Sequence, residues 1–199
     1  YGDNKWKKGK FKNHISDYVY SKKKNISPLA IVSPSKWLIN CVKQSSLFKK
    51  VKLINIPYPI DARIYFPKKK IKSISNLKIY KKNKVKIFFG VFGNSKDKRK
   101  GLDLLTKSLN LIDPNLIELI IASKNKFDKS YEFNIKNLDY IESEKQLSEI
   151  YNISDIVVLP SRLDNLPNIA LEAQSCGKPI VAYNVGGISD IVKNNYNSH

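Results

Sequence analysis

Residues 155–184 read DIVVLPSRLDNLPNIALEAQSCGKPIVAYN, and this stretch decides the fold. Its first apolar run, 155–160, is short and ends in proline, as a buried strand does. Residues 168–176 then place apolar side chains at helical spacing, and Gly177 follows as a residue suited to a left-handed helix cap. A second apolar run, 179–184, completes a strand–helix–strand unit. Working back along the chain, similar runs occur at 85–89 (VKIFF), 116–122 (LIELIIA) and 138–141 (LDYI). Between them Leu102, Leu105, Leu109 and Ile112 recur at helical spacing, as do Leu147, Ile150 and Tyr151. Alternating strands and helices define an α/β protein with a Rossmann-like parallel sheet.

The start of the chain reads differently. A Lys-rich segment precedes a short strand at 29–32, a helix opening at Pro34–Ser35 and a strand at 51–56. The stretch IPYPIDARIYFP (56–67) follows, and its prolines at 57, 59 and 67 break regular structure. The reading is therefore 1–56 as the end of an N-terminal α/β domain, 57–67 as an interdomain linker and 68–199 as a second domain. No internal repeat is visible.

Composition narrows the function classes. The chain has 199 residues, 42% hydrophobic, enough for a substantial core. A formal net charge of +19 raises nucleic acid, anionic membrane and phosphate as ligands. Nearly all of that charge is lysine: Arg63, Arg99 and Arg162 are the arginines, and no helix-turn-helix, zinc-finger or RNP-type pattern accompanies them. Base readout relies on arginine forks, so a nucleic-acid partner is not expected. A narrower reading lays the segment from Lys68 to Lys86 against anionic headgroups. The sequence carries no apolar run of membrane-spanning length, its start reads as lacking the apolar stretch of a secretory signal, and Cys41 and Cys176 read as reduced packing residues. A cytoplasmic setting, peripheral at the inner membrane face, is expected.

In open parallel sheets, ligands bind beyond the carboxyl ends of the strands. GVFGNSKDKRKG (90–101) lies at the first such end. Gly90 and Gly93 permit close backbone approach, and Lys96, Lys98, Arg99 and Lys100 bring positive charge to the start of a helix at Gly101. Amides, helix dipole and lysines together suit a phosphate, although the spacing is neither a Walker loop nor a dinucleotide fingerprint, and a charged surface turn would look the same. At a later end Asp164 stands in the loop and Glu172 eight positions on, within the helix. Two carboxylates so placed can accept from hydroxyls of two parts of one ligand. The plainer alternative makes Asp164 a helix cap and Glu172 half of a surface ion pair. Gly186 and Gly187 offer another close approach after the last run.

At these residues a family resemblance becomes specific. SDIVVLPSRLDNLPNIALEAQSCGKPIVAYNVGGISDIV (154–192) resembles the signature of retaining glycosyltransferases of family 4, whose fold is the two-domain GT-B type. PSKWLINCVKQSSLF (34–48), IPYPIDARIYFP and KRKGLDLLTKSL (98–109) resemble, in order, the end of that family's first domain, its linker and its first donor-domain loop. The wording DNLPN is similar to the branch that builds bacterial exopolysaccharide and other surface glycans. The resemblance implies a hexosyltransferase-type enzyme moving a sugar from a nucleotide diphosphate to a glycan or lipid-linked acceptor. It assigns Lys100 to the diphosphate, Glu172 to the ribose and Asp164 to hydroxyls of the transferred sugar. The segment Asn165, Leu166, Pro167 and Asn168 would present its main-chain groups, the amides of all but the proline, to sugar and phosphate, while Tyr140 and Ile141 would border the base.

Two positions depart from the family pattern. Ser95 stands where an arginine is usual, so either Arg99 or Lys98 substitutes for it or the phosphate grip is weaker, and the first acid is aspartate rather than glutamate. With no Asp-x-Asp pair and no His/Cys cluster in the sequence, neither metal nor other cofactor is expected. The resemblance further implies a second domain truncated after its fifth strand and a piece inactive by itself. Rival readings are a GT-B nucleotide-sugar epimerase, a non-catalytic nucleotide-sugar-binding module and a nucleic-acid binder.

Overall fold

The computed structural model describes residues 10–26, 28–48, 50–68, 73–74, 77–80, 83–91, 97–123, 131–138 and 141–193. The chain divides into two compact units, Tyr1–Ile56 and Pro57–His199.

In the first unit, helix α1 (Lys10–Lys24) precedes strand β1 (Ala30–Ser33), helix α2 (Lys36–Gln44) and strand β2 (Lys52–Asn55). β1 and β2 pair in parallel, from Ala30↔Lys52 to Ser33↔Asn55. Ser35 caps α2, its hydroxyl accepting from Leu38 N at 3.0 Å. Residues 10–24 of the Lys-rich segment are thus a helix, which the charge-based reading missed. Lysine is a good helix former, and Lys22, Lys23 and Lys24 in the last turn complement the negative end of the dipole.

The second unit holds a five-stranded sheet. Its strands are β5 (Val85–Val91), β6 (Ile117–Ser123), β7 (Asn134–Leu138), β8 (Ile156–Leu159) and β9 (Ile180–Ala182). A small antiparallel pair, β3 (Ser73–Ile74) with β4 (Ile79–Tyr80), precedes them. The sheet order is β7-β6-β5-β8-β9, with every neighbouring pair parallel. From β5 the chain runs outward one way through β6 and β7, then returns to build β8 and β9 on the other side. The order therefore reverses between β5 and β8, and a crevice opens there at the carboxyl ends.

Alternate residues of the central strands feed two cores. Phe88, Ile120 and Ala122 pack with α4 (Glu144–Ile153) and α5 (Asn168–Ser175) through Ile150, Tyr151, Ile169 and Ala173. Ile87, Phe89, Leu119 and Ile121 pack with Leu105 and Leu109 of α3 (Leu102–Leu109). Burial on both faces is why these strands read as continuous apolar runs.

Two expectations change. The strand expected at 138–141 is Asn134–Leu138. It lies at the sheet edge, where polar side chains are tolerated and the Asn134 amide donates to Glu118 Oε1 at 2.9 Å. α3 stops at Leu109, and Ile112 sits in the following turn, since Pro114 disfavours helical backbone just before it. Residues 98–100 are a 3-10 turn of their own.

Residues 57–68 contain no helix or strand, yet they are tied down. Tyr65 is buried. Ser148 Oγ donates to Ile64 O at 2.7 Å, Ser175 Oγ to Tyr65 O at 2.6 Å, and the Asn152 amide to Phe66 O at 3.1 Å while its oxygen accepts from Lys68 N at 2.7 Å. At the amino end of β5, Lys86 is fully buried with its ammonium 3.6 Å from Glu118 Oε2.

Candidate functional site

The loops after β5, β8 and β9 meet over the crevice. Asp97 starts the 3-10 turn by accepting from Arg99 N at 2.9 Å, and it holds the Arg99 guanidinium at 2.7 Å. Those bonds keep the Asp97 carboxyl below its ordinary range. Gly101 then adopts φ +72°, and a Cβ there would collide with the carbonyl of Pro160. The missing side chain lets the start of α3 press against the loop after β8.

Arg162, in that loop, locks the contact. Its backbone N–H donates to Arg99 O at 2.7 Å, and its guanidinium donates to Lys98 O at 2.6 Å. The same guanidinium grips both Asp103 oxygens, at 2.8 and 2.6 Å. Its hydrogen bonds hold the Asp103 carboxyl down at about 2.

The result is an ion pair across the switch point. Lys100 Nζ lies 2.7 Å from Asp164 Oδ2, with the two side chains 34% and 16% exposed. The Asp164 main chain is fixed as well: its carbonyl accepts from Gly187 N at 3.0 Å, and Gly186, at φ +58°, has no room for a Cβ against that carbonyl. Asp164 Oδ1 accepts from Asn165 N at 3.0 Å. Asp164 is therefore not the cap of α5. That place belongs to Pro167, which offers no side-chain bond. Leu166 and Pro167 are buried and Asn168, at the helix start, is exposed. The first-turn amides of α5 face the carboxyl ends of the strands.

Glu172 stands one turn further along α5. Helical Cα–Cβ bonds tilt toward the helix amino terminus, which leans this side chain toward the crevice end. Among the described residues it makes no ion pair with a lysine or arginine, contrary to the plainer alternative. Instead it is half-buried, and Tyr151 Oη donates to its Oε2 at 2.6 Å. Burial pushes the Glu172 carboxyl up from its ordinary value, and the Tyr151 bond pulls it partly back. Tyr151 is fully buried, and loss of hydration together with the facing carboxylate raises its phenol well above the ordinary value.

The structure thus brings together Lys100, Asp164 and the 165–168 segment, places Arg99 on Asp97, and sets Ile141 buried just before Ser143, the cap of α4. Gly93 and Tyr140 lie outside the described residues. Sequence reasoning missed Arg162 and Tyr151. Arg162 gave no local signal, and Tyr151 looked like one more apolar helix position. Among the described residues no helix is long and apolar enough to cross a membrane.

A parallel sheet reversing at its middle strands, with a lysine–carboxylate pair over the reversal and a helix amino terminus beside it, defines an α/β domain whose candidate site lies at its strand ends. The chain belongs to the glycosyl transferases group 1 family, whose model matches residues 69–198. It is 32% identical over 115 residues to an uncharacterised glycosyltransferase of Methanocaldococcus jannaschii, covering 55% of this chain and 32% of that protein. Its fold superposes on sucrose-phosphate synthase of Thermosynechococcus elongatus with a TM-score of 0.73 at 15% identity, over 100% of this chain and 50% of that one. HepE of Anabaena, crystallised in complex with UDP, matches with a TM-score of 0.63 at 18% identity, over 85% of this chain and 49% of that one. The fold is part of the GT-B type, and the chain spans about half the length of these structural neighbours.

Proposed function

We propose that this chain is the donor-binding part of a retaining, hexosyltransferase-type enzyme that moves a sugar from a nucleoside diphosphate to a glycan or lipid-linked acceptor in surface-polysaccharide synthesis. The Lys100–Asp164 pair carries the reading. A lysine held on a carboxylate at the mouth of a crevice is a cation whose counterion a diphosphate can replace. With donor bound, Lys100 faces the diphosphate, assisted by the first-turn amides of α5, Arg99 and the backbone around Gly93. Asp164, released, accepts from hydroxyls of the transferred sugar, and Glu172 accepts from the ribose. Asn165, Leu166, Pro167 and Asn168 present main-chain groups to sugar and phosphate, and Tyr140 with Ile141 borders the base.

In the reaction the bond from the anomeric carbon to the diphosphate oxygen breaks as the bond to the acceptor oxygen forms, and the acceptor's proton passes to the departing diphosphate. Negative charge grows on that leaving group, so fixed cations and amides aimed at it stabilise the transition state more than the ground state. The cations are the protein's own, and the reading requires neither divalent metal nor other cofactor. Nucleic acid is not a partner. The enzyme works in the cytoplasm, and its lysines bring it to the anionic inner face of the membrane where a lipid-linked acceptor resides.

The test uses the full-length protein with a panel of nucleoside diphosphate sugars, followed by thermal shift and transfer assays. A matched donor raises the melting temperature, and transfer persists in the presence of a chelator. Lys100→Ala should lower turnover at least tenfold with little change in the melting temperature of the unliganded protein, a loss of about 1.4 kcal/mol or more in transition-state stabilisation. A panel that produces no shift, or unchanged turnover in Lys100→Ala, defeats the proposal.

A further inference from the structure

We propose that Tyr151 is a positioning residue of the nucleotide site, which fixes the Glu172 carboxylate through Oε2 and so leaves Oε1 to receive the ribose hydroxyls. The inference rests on the reading of Glu172 as the ribose acceptor.

Tyr151 has no exposure to solvent. Its ring meets the edge of Phe88 at 5.3 Å between centroids and 89° between planes, and Tyr65 lies at 6.2 Å. Phenylalanine would satisfy that packing. The hydroxyl adds one thing, a donor aimed at Glu172 Oε2 at 2.6 Å. A bond from a neutral hydroxyl to a carboxylate is charge-assisted and short, and it acts here where water is largely excluded.

A glutamate on a helix has several free torsions, and an unsupported carboxylate would sample many orientations before meeting a ligand. Anchoring one oxygen to a side chain that cannot move fixes the plane of the group. The second oxygen then has a defined direction, and less conformational freedom is lost when a ribose binds.

The same bond bears on ionisation. Among the described residues, Tyr151 and Glu144 of α4 and Tyr65 of the 57–68 segment face Glu172. Burial and Glu144 push its carboxyl up, and the Tyr151 hydroxyl opposes them. Without that hydroxyl the carboxylate protonates at higher pH, and ribose recognition fails sooner as pH falls.

The experiment uses the full-length protein and calorimetric titration with UDP, GDP and ADP, then with the 2′,3′-dideoxy form of whichever binds tightest, from pH 5.5 to 8.5. Tyr151→Phe should weaken the ribose form roughly two- to tenfold at neutral pH, the cost of ordering one freed carboxylate on binding. Binding of the dideoxy form should not change, and the acid limb of the ribose profile should move to higher pH. Tyr151→4-aminophenylalanine, which returns a donor to the same place, should recover most of the loss; it also serves if Tyr151→Phe folds poorly. Equal weakening of ribose and dideoxy forms would mean that Tyr151 only packs, and no weakening would mean that Glu172 needs no support. Either result overturns the inference. Glu172→Gln separates it from its premise: wild type that binds both forms equally and is unaffected by Glu172→Gln removes the ribose reading itself, and the role of Tyr151 with it.

Discussion

Replacing Asp164 by asparagine removes one negative charge from the crevice and leaves its shape intact. The Oδ1 acceptor for Asn165 N survives, as does the main-chain bond from Gly187 N, so the loop should hold. What changes is the state of Lys100. In the unliganded protein its ammonium sits 2.7 Å from Asp164 Oδ2, and a diphosphate must displace that carboxylate before it can be gripped. The bare Coulomb term at this distance is about 6 kcal/mol at an effective dielectric of 20, but most of it is cancelled by hydration of the separated charges. Exposed pairs are worth about 0–1 kcal/mol, and with Lys100 34% and Asp164 16% exposed the upper end of that range is the appropriate figure. About 1 kcal/mol corresponds to a roughly fivefold gain in affinity for bare nucleoside diphosphate in Asp164→Asn. Sugar transfer should move the other way. Loss of a charge-assisted acceptor for the sugar, worth about 1.5–3 kcal/mol, lowers turnover roughly ten- to hundredfold. Calorimetry with nucleoside diphosphate at two salt concentrations, beside transfer assays, measures both; the affinity gain should shrink as salt screens the freed lysine. Weaker nucleoside diphosphate binding in Asp164→Asn, or unimpaired transfer, would refute the reasoning.

Two further substitutions test the frame around the site. Gly101→Ala puts a Cβ against the Pro160 carbonyl at a left-handed φ, and should cost more than the ~1–2 kcal/mol of backbone strain alone, seen as a fall of about 5 °C or more in melting temperature; a fall below about 1 °C would show that the loops are not pressed together. Lys86→Met replaces a fully buried ammonium with an apolar chain of similar length, and because Glu118 keeps 17% exposure and its bond from Asn134, stability should change by less than about 1 kcal/mol. Glu118→Ala instead strands that ammonium and should cost about 3 kcal/mol in chemical denaturation, so equal losses in the two variants would contradict the pairing.

The strands β5 and β6 were legible because burial on both faces makes a sequence continuously apolar, whereas β8 and the edge strand β9, with Val181 exposed, were legible as short apolar runs beside proline, and Gly177 marked the end of α5 because its φ is +70°. Edge strand β7 was not, since NIKNL shows solvent a polar face and resembles a loop. At the site, the residue types were readable and their partnerships were not. Lys100 and Asp164 are 64 positions apart, as are Arg162 and the Lys98 carbonyl, while Arg162 and Asp103 are 59 apart. No local pattern encodes pairs so distant; they exist because the sheet order brings the ends of β5 and β8 side by side. Gly101 was visible as a glycine at a helix start. The reason it must be glycine is the Pro160 carbonyl, which only the folded chain puts there.

The three loops over the crevice are joined largely by main-chain atoms. Arg162 N meets Arg99 O, Gly187 N meets Asp164 O, and two glycines clear the space for these approaches. Every residue type except proline supplies the same N–H and every one the same carbonyl, so mutation of side chains along 165–168 leaves those seams intact. The architecture separates what can drift from what cannot. A lineage could exchange one ligand preference for another by altering a few exposed groups, with the loops still meeting as before, whereas a methyl group added at either glycine would close that route.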